Sequence, residues 1–209
     1  MAAAILHPAP AWKPDRSDYV VLWHGCTAID KNNIEAKGIE LTAGRSRIDF
    51  GQGFYTTTWE RQARQWAWWR FYELRKGSST TANQPVILRF RVRRYSLGRV
   101  STPLDCGLDD LRSLSFVSGD FHCEDYWSFV QHCRSGVKSH NHIPNGWYDL
   151  VTGPVAAMWK QRVGMDDSDQ ISFHTPKAIE LLDALIDQGK GKGLLRQGDP
   201  HFYRWEIVT

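Results

Sequence analysis

Asp49-Phe50-Gly51-Gln52-Gly53-Phe54-Tyr55-Thr56-Thr57 is the stretch on which the fold turns. Arg45 to Gly53 is polar and carries two glycines, which marks a loop. Phe54 to Thr57 then has the aromatic and β-branched content of a strand. That order excludes two nucleotide folds. A dinucleotide-binding turn follows a strand and opens a helix, whereas Gly51-Gln52-Gly53 precedes a strand. Asp49-Phe50-Gly51 spells the kinase triplet, but the chain has no upstream Gly-rich loop, strand lysine or His-Arg-Asp catalytic loop to accompany it.

Working outward, Val20-Val21-Leu22-Trp23 is an apolar run of strand length. A sharp His24-Gly25 corner follows, and Thr27 with Asp30 forms a capping-box pair opening a helix that Gly38 closes. Downstream, Ala63, Trp66, Ala67, Phe71 and Leu74 recur at helical spacing and predict one buried stripe ending near Gly77. Gly77 to Gln84 reads as a surface loop. From Pro85, Leu88, Phe90 and Val92 alternate with Arg89, Arg91 and Arg93, so one strand face is a row of arginines. Leu108 to Arg134 reads as helical, broken at Ser118-Gly119, with Tyr126, Phe129, Val130 and Cys133 on a packed second half. Tyr148 to Thr152 is a strand stopped by Gly153-Pro154, and Gln170 to Phe173 is another. Thr175-Pro176 caps a helix burying Ala178, Leu181, Leu182, Leu185 and Ile186. Gly189 to Gly193 is a loop, and Phe202 to Val208 a closing strand. Strands and helices alternate without a regular βαβ rhythm, which points to an α+β protein with a mixed or antiparallel sheet. Residues 1–18, with three prolines, read as an extended arm ahead of a single domain over 19–209.

Composition fits that reading. The chain has 209 residues, 42% apolar and 23% charged, enough to bury a core without staples and unlike a disordered chain. No apolar stretch approaches the ~18 residues of a membrane helix, and residues 1–10 lack a secretory pattern, so the expected location is cytoplasmic, with no membrane partner. Cys26, Cys106, Cys123 and Cys133 are too scattered for a disulfide scaffold and are expected reduced. His122-Cys123 and His132-Cys133, with His140 and His142 nearby, match no standard zinc spacing, and no metal is expected. Twenty-six basic against 23 acidic residues, a net of +3, says little about partners. Ten tryptophans suit either a large-ringed core or a stacking site.

The words Leu22-Trp23-His24-Gly25, Asp49 to Thr57 with Ala63 to Ala67 after it, and Gln170-Ile171-Ser172-Phe173 together resemble the ADP-ribosyltransferase superfamily. The similarity is to its diphtheria-toxin and poly-ADP-ribose-polymerase branch. Within it, the string from Asp49 to Thr57 and the Tyr148 to Pro154 segment are similar to small bacterial proteins, some encoded beside antitoxins. The resemblance spans roughly residues 20–185 through short words. It implies an ADP-ribosyltransferase-like split sheet with NAD as co-substrate, and a catalytic set of His24, Tyr55 and Gln170. His24 would bond a ribose hydroxyl and the Gly25 backbone the nicotinamide amide. Tyr55 and Trp66 would enclose the nicotinamide ring, the turn at Gly51 and Gly53 would deliver Tyr55, and Arg45 and Arg47 would meet the pyrophosphate.

That chemistry passes through an oxocarbenium-like sugar, and nicotinamide leaves as a neutral ring without an acid. The departure is Gln170, where the family usually has glutamate. An amide can orient a hydroxyl but carries no charge and cannot act as a base, which argues against chain elongation. Gln170→Glu is therefore expected to keep or raise NAD hydrolysis. Asp169 and Glu206 are the alternative carboxylates. The function expected from the resemblance is a mono-ADP-ribosyltransferase toxin with a cognate antitoxin or immunity protein. Its alternatives are an NAD glycohydrolase and a catalytically silent NAD or ADP-ribose binding module. A protein acceptor comes first and RNA or DNA second. The arginines at 89, 91, 93, 94 and 99 suit a phosphate backbone but equally a solvated strand face.

Overall fold

A computed structural model describes residues 19–75, 84–93, 111–116, 123–140, 146–183 and 206–207. The expected arm over 1–18, the loop after Gly77, the break at Ser118-Gly119, the Gly189–Gly193 loop, Arg94, Arg99, Cys106, Leu185 and Ile186 lie outside these residues. The described elements are strands β1 (Tyr19–Thr27), β2 (Phe54–Thr56), β3 (Pro85–Arg93), β4 (Ser113–Ser115), β5 (Leu150–Met158), β6 (Val163–Phe173) and β7 (Glu206–Ile207). The helices are α1 (Ala28–Lys37), α2 (Glu60–Arg75), α3 (Glu124–Arg134) and α4 (Pro176–Asp183). The protein is α+β, with one sheet ordered β1-β3-β7 and a second ordered β2-β6-β5-β4. Pairing is antiparallel except for β4 beside β5. An isolated bridge between Trp23 and Thr57 joins the two sheets, sealed by reciprocal backbone bonds of 2.7 and 2.8 Å.

Local chemistry explains most boundaries. Thr27 and Asp30 close a reciprocal capping box on α1, and Gly38 ends it with φ +83°. Thr175 Oγ1 accepts from Ala178 N at 3.2 Å, as a cap before Pro176 should. Three strand expectations are corrected. His24-Gly25 is not a corner, since β1 runs through both residues to Thr27 in register with β3. Ser113–Ser115 is not helical but a short parallel strand on β5, because so short an apolar-polar stretch takes the structure its neighbour's free edge offers. Gly153-Pro154 does not stop β5, which runs on to Met158. Proline lacks an N–H, so it is tolerated where the register with β6 shifts, and the next amide, Val155 N, is satisfied by Ser168 Oγ at 3.2 Å.

The core lies on both faces of the second sheet. Leu22, Phe54, Phe90, Leu150, Ile171, Phe173 and Leu182 pack on one side. Phe50, Phe116, Tyr126, Phe129, Val130 and Val151 pack on the other, beneath α3. Helix α2 crosses the first sheet through Ala63, Ala67 and Ile87. Its buried stripe is narrower than its spacing predicts, since Trp66 and Leu74 are exposed. The reason is Gly25, where a Cβ would stand 2.1 Å from the Ala63 carbonyl oxygen and 2.8 Å from Ala67 N. The helix backbone comes so close at Gly25 that alanines face it there, while Trp66 stands outside and Trp68 packs at the edge of the contact.

Candidate functional site

The loop from Gly44 to Gly53 folds onto the end of β6. Gly51 adopts φ +80°, a conformation glycine takes without strain. A Cβ on Gly53 would meet Phe173 O at 2.6 Å and His174 Nδ1 at 2.7 Å. This close passage aims Tyr55 back at the turn that precedes it. The Tyr55 hydroxyl donates to Gly51 O at 2.6 Å and accepts from Phe50 N at 3.1 Å. Burial, with the Asp49 charge second, holds its pKa well above the ordinary value, so the phenol stays protonated and staples the turn.

The His24 side chain, carried inside β1, lies beside this turn. Its Nδ1 donates to Tyr55 O at 2.6 Å, and its ring stacks on Phe54 at 4.3 Å. Burial lowers its pKa, so the ring is neutral, the Nδ1 bond fixes the tautomer and Nε2 is an acceptor. No bond to Nε2 is formed among the described residues. The structure thus brings His24 and Tyr55 together through a backbone carbonyl. Their rings, however, sit on opposite faces of β2, His24 with Phe54 and Tyr55 toward the α3 side.

Gln170 shares the Tyr55 face, two residues along β6 from Ser172, which pairs with Tyr55. It is only 7% exposed. Its Nε2 donates to Asp49 Oδ2 at 2.8 Å and to Pro154 O at 3.0 Å, and no donor among the described residues reaches Oε1. Asp49, also buried, takes Ala156 N at 2.8 Å on the same oxygen, while its other oxygen receives Arg134 Nε at 2.8 Å and Arg134 Nη2. The Asp49 charge reaches further, adding to burial in raising the pKa of Tyr126 and in pushing the Cys133 thiol up to about 12.

The remaining site residues separate. Arg45 lies over Trp69 at 4.8 Å, and Trp69 meets Trp66 edge-on at 5.3 Å, so Arg45 and Trp66 share one exposed row along α2. Trp66, 45% exposed, is not a core ring. Arg47 runs the other way, toward Gly136 behind α3. Asp169 is committed, with Thr57 Oγ1 at 2.5 Å, Thr58 N at 2.9 Å and Thr58 Oγ1 all on its carboxylate. Burial raises its pKa against these bonds. Glu206 stands in β7 opposite Ile87. Arg89 lies over Trp23 at 5.4 Å.

Sequence reasoning left Asp49, Arg134, His140 and His174 without a role. His140 Nδ1 accepts from Tyr148 N at 2.9 Å, which makes Nε2 the donor to Phe50 O at 2.9 Å. His174 Nδ1 donates to Gln52 O at 2.8 Å, its Nε2 lies 2.7 Å from Ser172 Oγ, and Trp147 stacks on it at 5.6 Å. Both histidines therefore hold carbonyls of the 49–53 turn. The available signal was Asp49 itself, a charge between Ile48 and Phe50 that an apolar setting keeps only when paired. Among the described residues no group of three His, Cys, Asp or Glu could hold a metal ion, and no helix is long and apolar enough to cross a membrane.

Fold and site define an α+β protein of two sheets joined at a bridge, with a stapled turn whose buried Asp49 ties half-buried Arg134 to buried Gln170. The chain belongs to the DUF3990 family, described as a protein of unknown function, whose pattern matches residues 20–163. The match includes His24, the 49–57 turn and Trp66, and ends before Gln170. No curated protein and no solved structure matches the chain.

Proposed function

We propose that the protein is an NAD-dependent mono-ADP-ribosyltransferase on an ADP-ribosyltransferase-like split sheet, acting as a bacterial toxin that a cognate antitoxin or immunity protein restrains. The observation that carries this reading is the bond from His24 Nδ1 to Tyr55 O across the join of the two sheets. It fixes Nε2 as an acceptor, and Gln170 Oε1, which takes no hydrogen bond among the described residues, is an acceptor as well. Such groups suit a ligand that presents hydroxyl donors, as the riboses of NAD do. Arg45 and the Trp66-Trp69 row offer a cation for phosphate and rings for a planar base. Arg47 points elsewhere and is not needed in this reading. In this reading His24 and Gln170, on opposite faces of β2, hold hydroxyls of the two different riboses of NAD, the Trp66-Trp69 rings shelter nicotinamide, and a macromolecular nucleophile takes the sugar as nicotinamide leaves.

A second reading has a specific observation behind it. The Gln170 amide nitrogen is spent on Asp49, and an uncharged group stabilises a sugar cation weakly. Hydrolysis, or silent binding of NAD or ADP-ribose, is then the competing outcome.

The test is incubation of the purified protein, with His24→Ala and Gln170→Ala as controls, in bacterial lysate with adenine-labelled NAD. Label that protease releases marks a protein acceptor, and label that nuclease releases marks RNA or DNA. Free ADP-ribose alone marks a glycohydrolase. Intact NAD in every sample would refute the enzymatic reading and leave the binding module.

A further inference from the structure

Gln170 replaces a glutamate in the resemblance, and the structure contains a physical reason. Asp49 Oδ2 stands 2.8 Å from Gln170 Nε2. A glutamate at 170 would set two carboxylates at hydrogen-bond distance in a buried site, and such a pair cannot ionise together. An amide removes the conflict because its nitrogen donates. The groups that face Asp49 are the Arg134 guanidinium from α3, Ala156 N from β5 and Gln170 from β6, with the Tyr55, Tyr126 and Cys133 protons within electrostatic reach.

We infer that Asp49 is a positioning residue for the candidate site: together with Pro154 O it fixes the flip of the Gln170 amide, and it alone supplies, one group further back, the negative charge that a glutamate at 170 would carry itself. An amide whose N–H donates to a carboxylate gains electron density on its oxygen, because bonded dipoles in a low-dielectric setting polarise one another. Oε1 becomes a stronger acceptor, and the flip leaves it as the end that can meet a ligand. Arg134 completes the arrangement by making the Asp49 charge tolerable in the interior. Positions 49 and 170 are thus one unit, a carboxylate behind an amide. The inference rests on the reading of Gln170 as a group that contacts the sugar, and it revises the expectation that Gln170→Glu is harmless.

The test is a charge exchange: Asp49→Asn, Gln170→Glu and the double variant, each measured for urea midpoint and for NAD turnover from pH 5 to 8. At pH 8 each single variant should unfold at lower urea and lose at least tenfold in turnover. The double variant, in which an amide at position 49 donates to a carboxylate at position 170, should recover part of both relative to Gln170→Glu, the rest staying lost because the new carboxylate faces Pro154 O and the new amide faces Ala156 N. The single Gln170→Glu variant should also regain turnover as pH falls. Its new carboxyl, once protonated, is an O–H donor in place of the amide. Burial beside Asp49 raises the pKa of that carboxyl, so the donor state persists above the ordinary carboxyl range and is lost as pH rises further. A double variant no better than the worse single, or a Gln170→Glu profile parallel to the parent's, overturns the inference. If the parent chain consumes no NAD, the proposed function fails, and recovery of the urea midpoint alone decides whether 49 and 170 are coupled.

Discussion

His24 and Tyr55 are joined by a 2.6 Å bond from the imidazole Nδ1 to a main-chain carbonyl oxygen. One bond therefore sets the tautomer of a β1 side chain and ties down the strand that carries the neighbouring candidate. Replacing His24 by alanine strands a part-buried carbonyl and deletes the Nε2 acceptor together. A stability loss of about 1–3 kcal/mol is expected from the unpaired group. NAD turnover should fall by more than that loss explains, because folded protein remains in excess. Turnover measured at a temperature where both proteins are fully folded separates the two effects. Full activity there would remove His24 from the site.

Gly25 is under different pressure. The 2.1 Å approach of a Cβ to Ala63 O is to backbone of a long helix, which cannot swing aside as a side chain can. Gly25→Ala should therefore push α2 off the first sheet and cost about 3 kcal/mol, at the upper end of overpacking effects. Urea denaturation of the variant measures it. A loss below about 0.5 kcal/mol, the scale of an ordinary surface change, would mean that α2 sits further from β1. The helix also carries Trp66, so NAD affinity should fall in the same variant.

Much of this arrangement was legible in the chain. The Thr27-Asp30 box, the Thr175-Pro176 cap and the 54–56 strand each rest on local chemistry that tertiary packing has no reason to override. The narrow stripe on α2 was not legible, because it depends on Gly25, far from Ala63 in the sequence but against it in space. Ser113–Ser115 was missed for a related reason, since its strand exists only against β5. At the site, the Asp49 to Tyr55 string identified the turn. The groups holding it, Arg134, His140 and His174, come from separate parts of the chain whose spacing carries no mark of a shared network. Gln170 was legible as a departure and not as a partner of Asp49, since a pair separated by 121 positions leaves no local signature.

Trp66 and Trp69 make a sharper test of ligand binding than any buried residue does. Both are more than 40% exposed and meet edge-on at 5.3 Å, with Arg45 over the second ring. Alanine at either position should leave stability within about 0.5 kcal/mol, as surface changes usually do. A planar or cationic ring held against them contributes about 0.5–2 kcal/mol, so NAD affinity should drop roughly two- to thirtyfold. Titration calorimetry with NAD on both variants gives the answer. Unchanged affinity in both would move the nicotinamide away from α2.

The last prediction concerns acid. His174 is buried between Gln52 O, Ser172 and the Trp147 ring, and burial, with His140 adding a smaller effect, brings its pKa down to about 3. The unfolded chain takes up this proton near the ordinary value of about 6.5 while the folded chain does not. The folded pKa is depressed, so the contribution to stability is complete above pH 6.5 and is lost as pH falls from there toward 3. The limiting slope is about 1.4 kcal/mol per pH unit for one such group. His24, lowered by burial as well, adds in the same direction below 6.5. Urea midpoints from pH 7 to 5 should therefore fall steeply in the parent chain and less steeply in His174→Gln, whose amide bonds Gln52 O without titrating. The 49–53 turn hangs on His174, so acid should loosen the turn before the sheets separate, and the environment of Trp147 should change first in fluorescence. Equal slopes in parent and variant would show that His174 is already charged in the folded protein, and with it that the pocket beneath Gly53 is wetter than its packing implies.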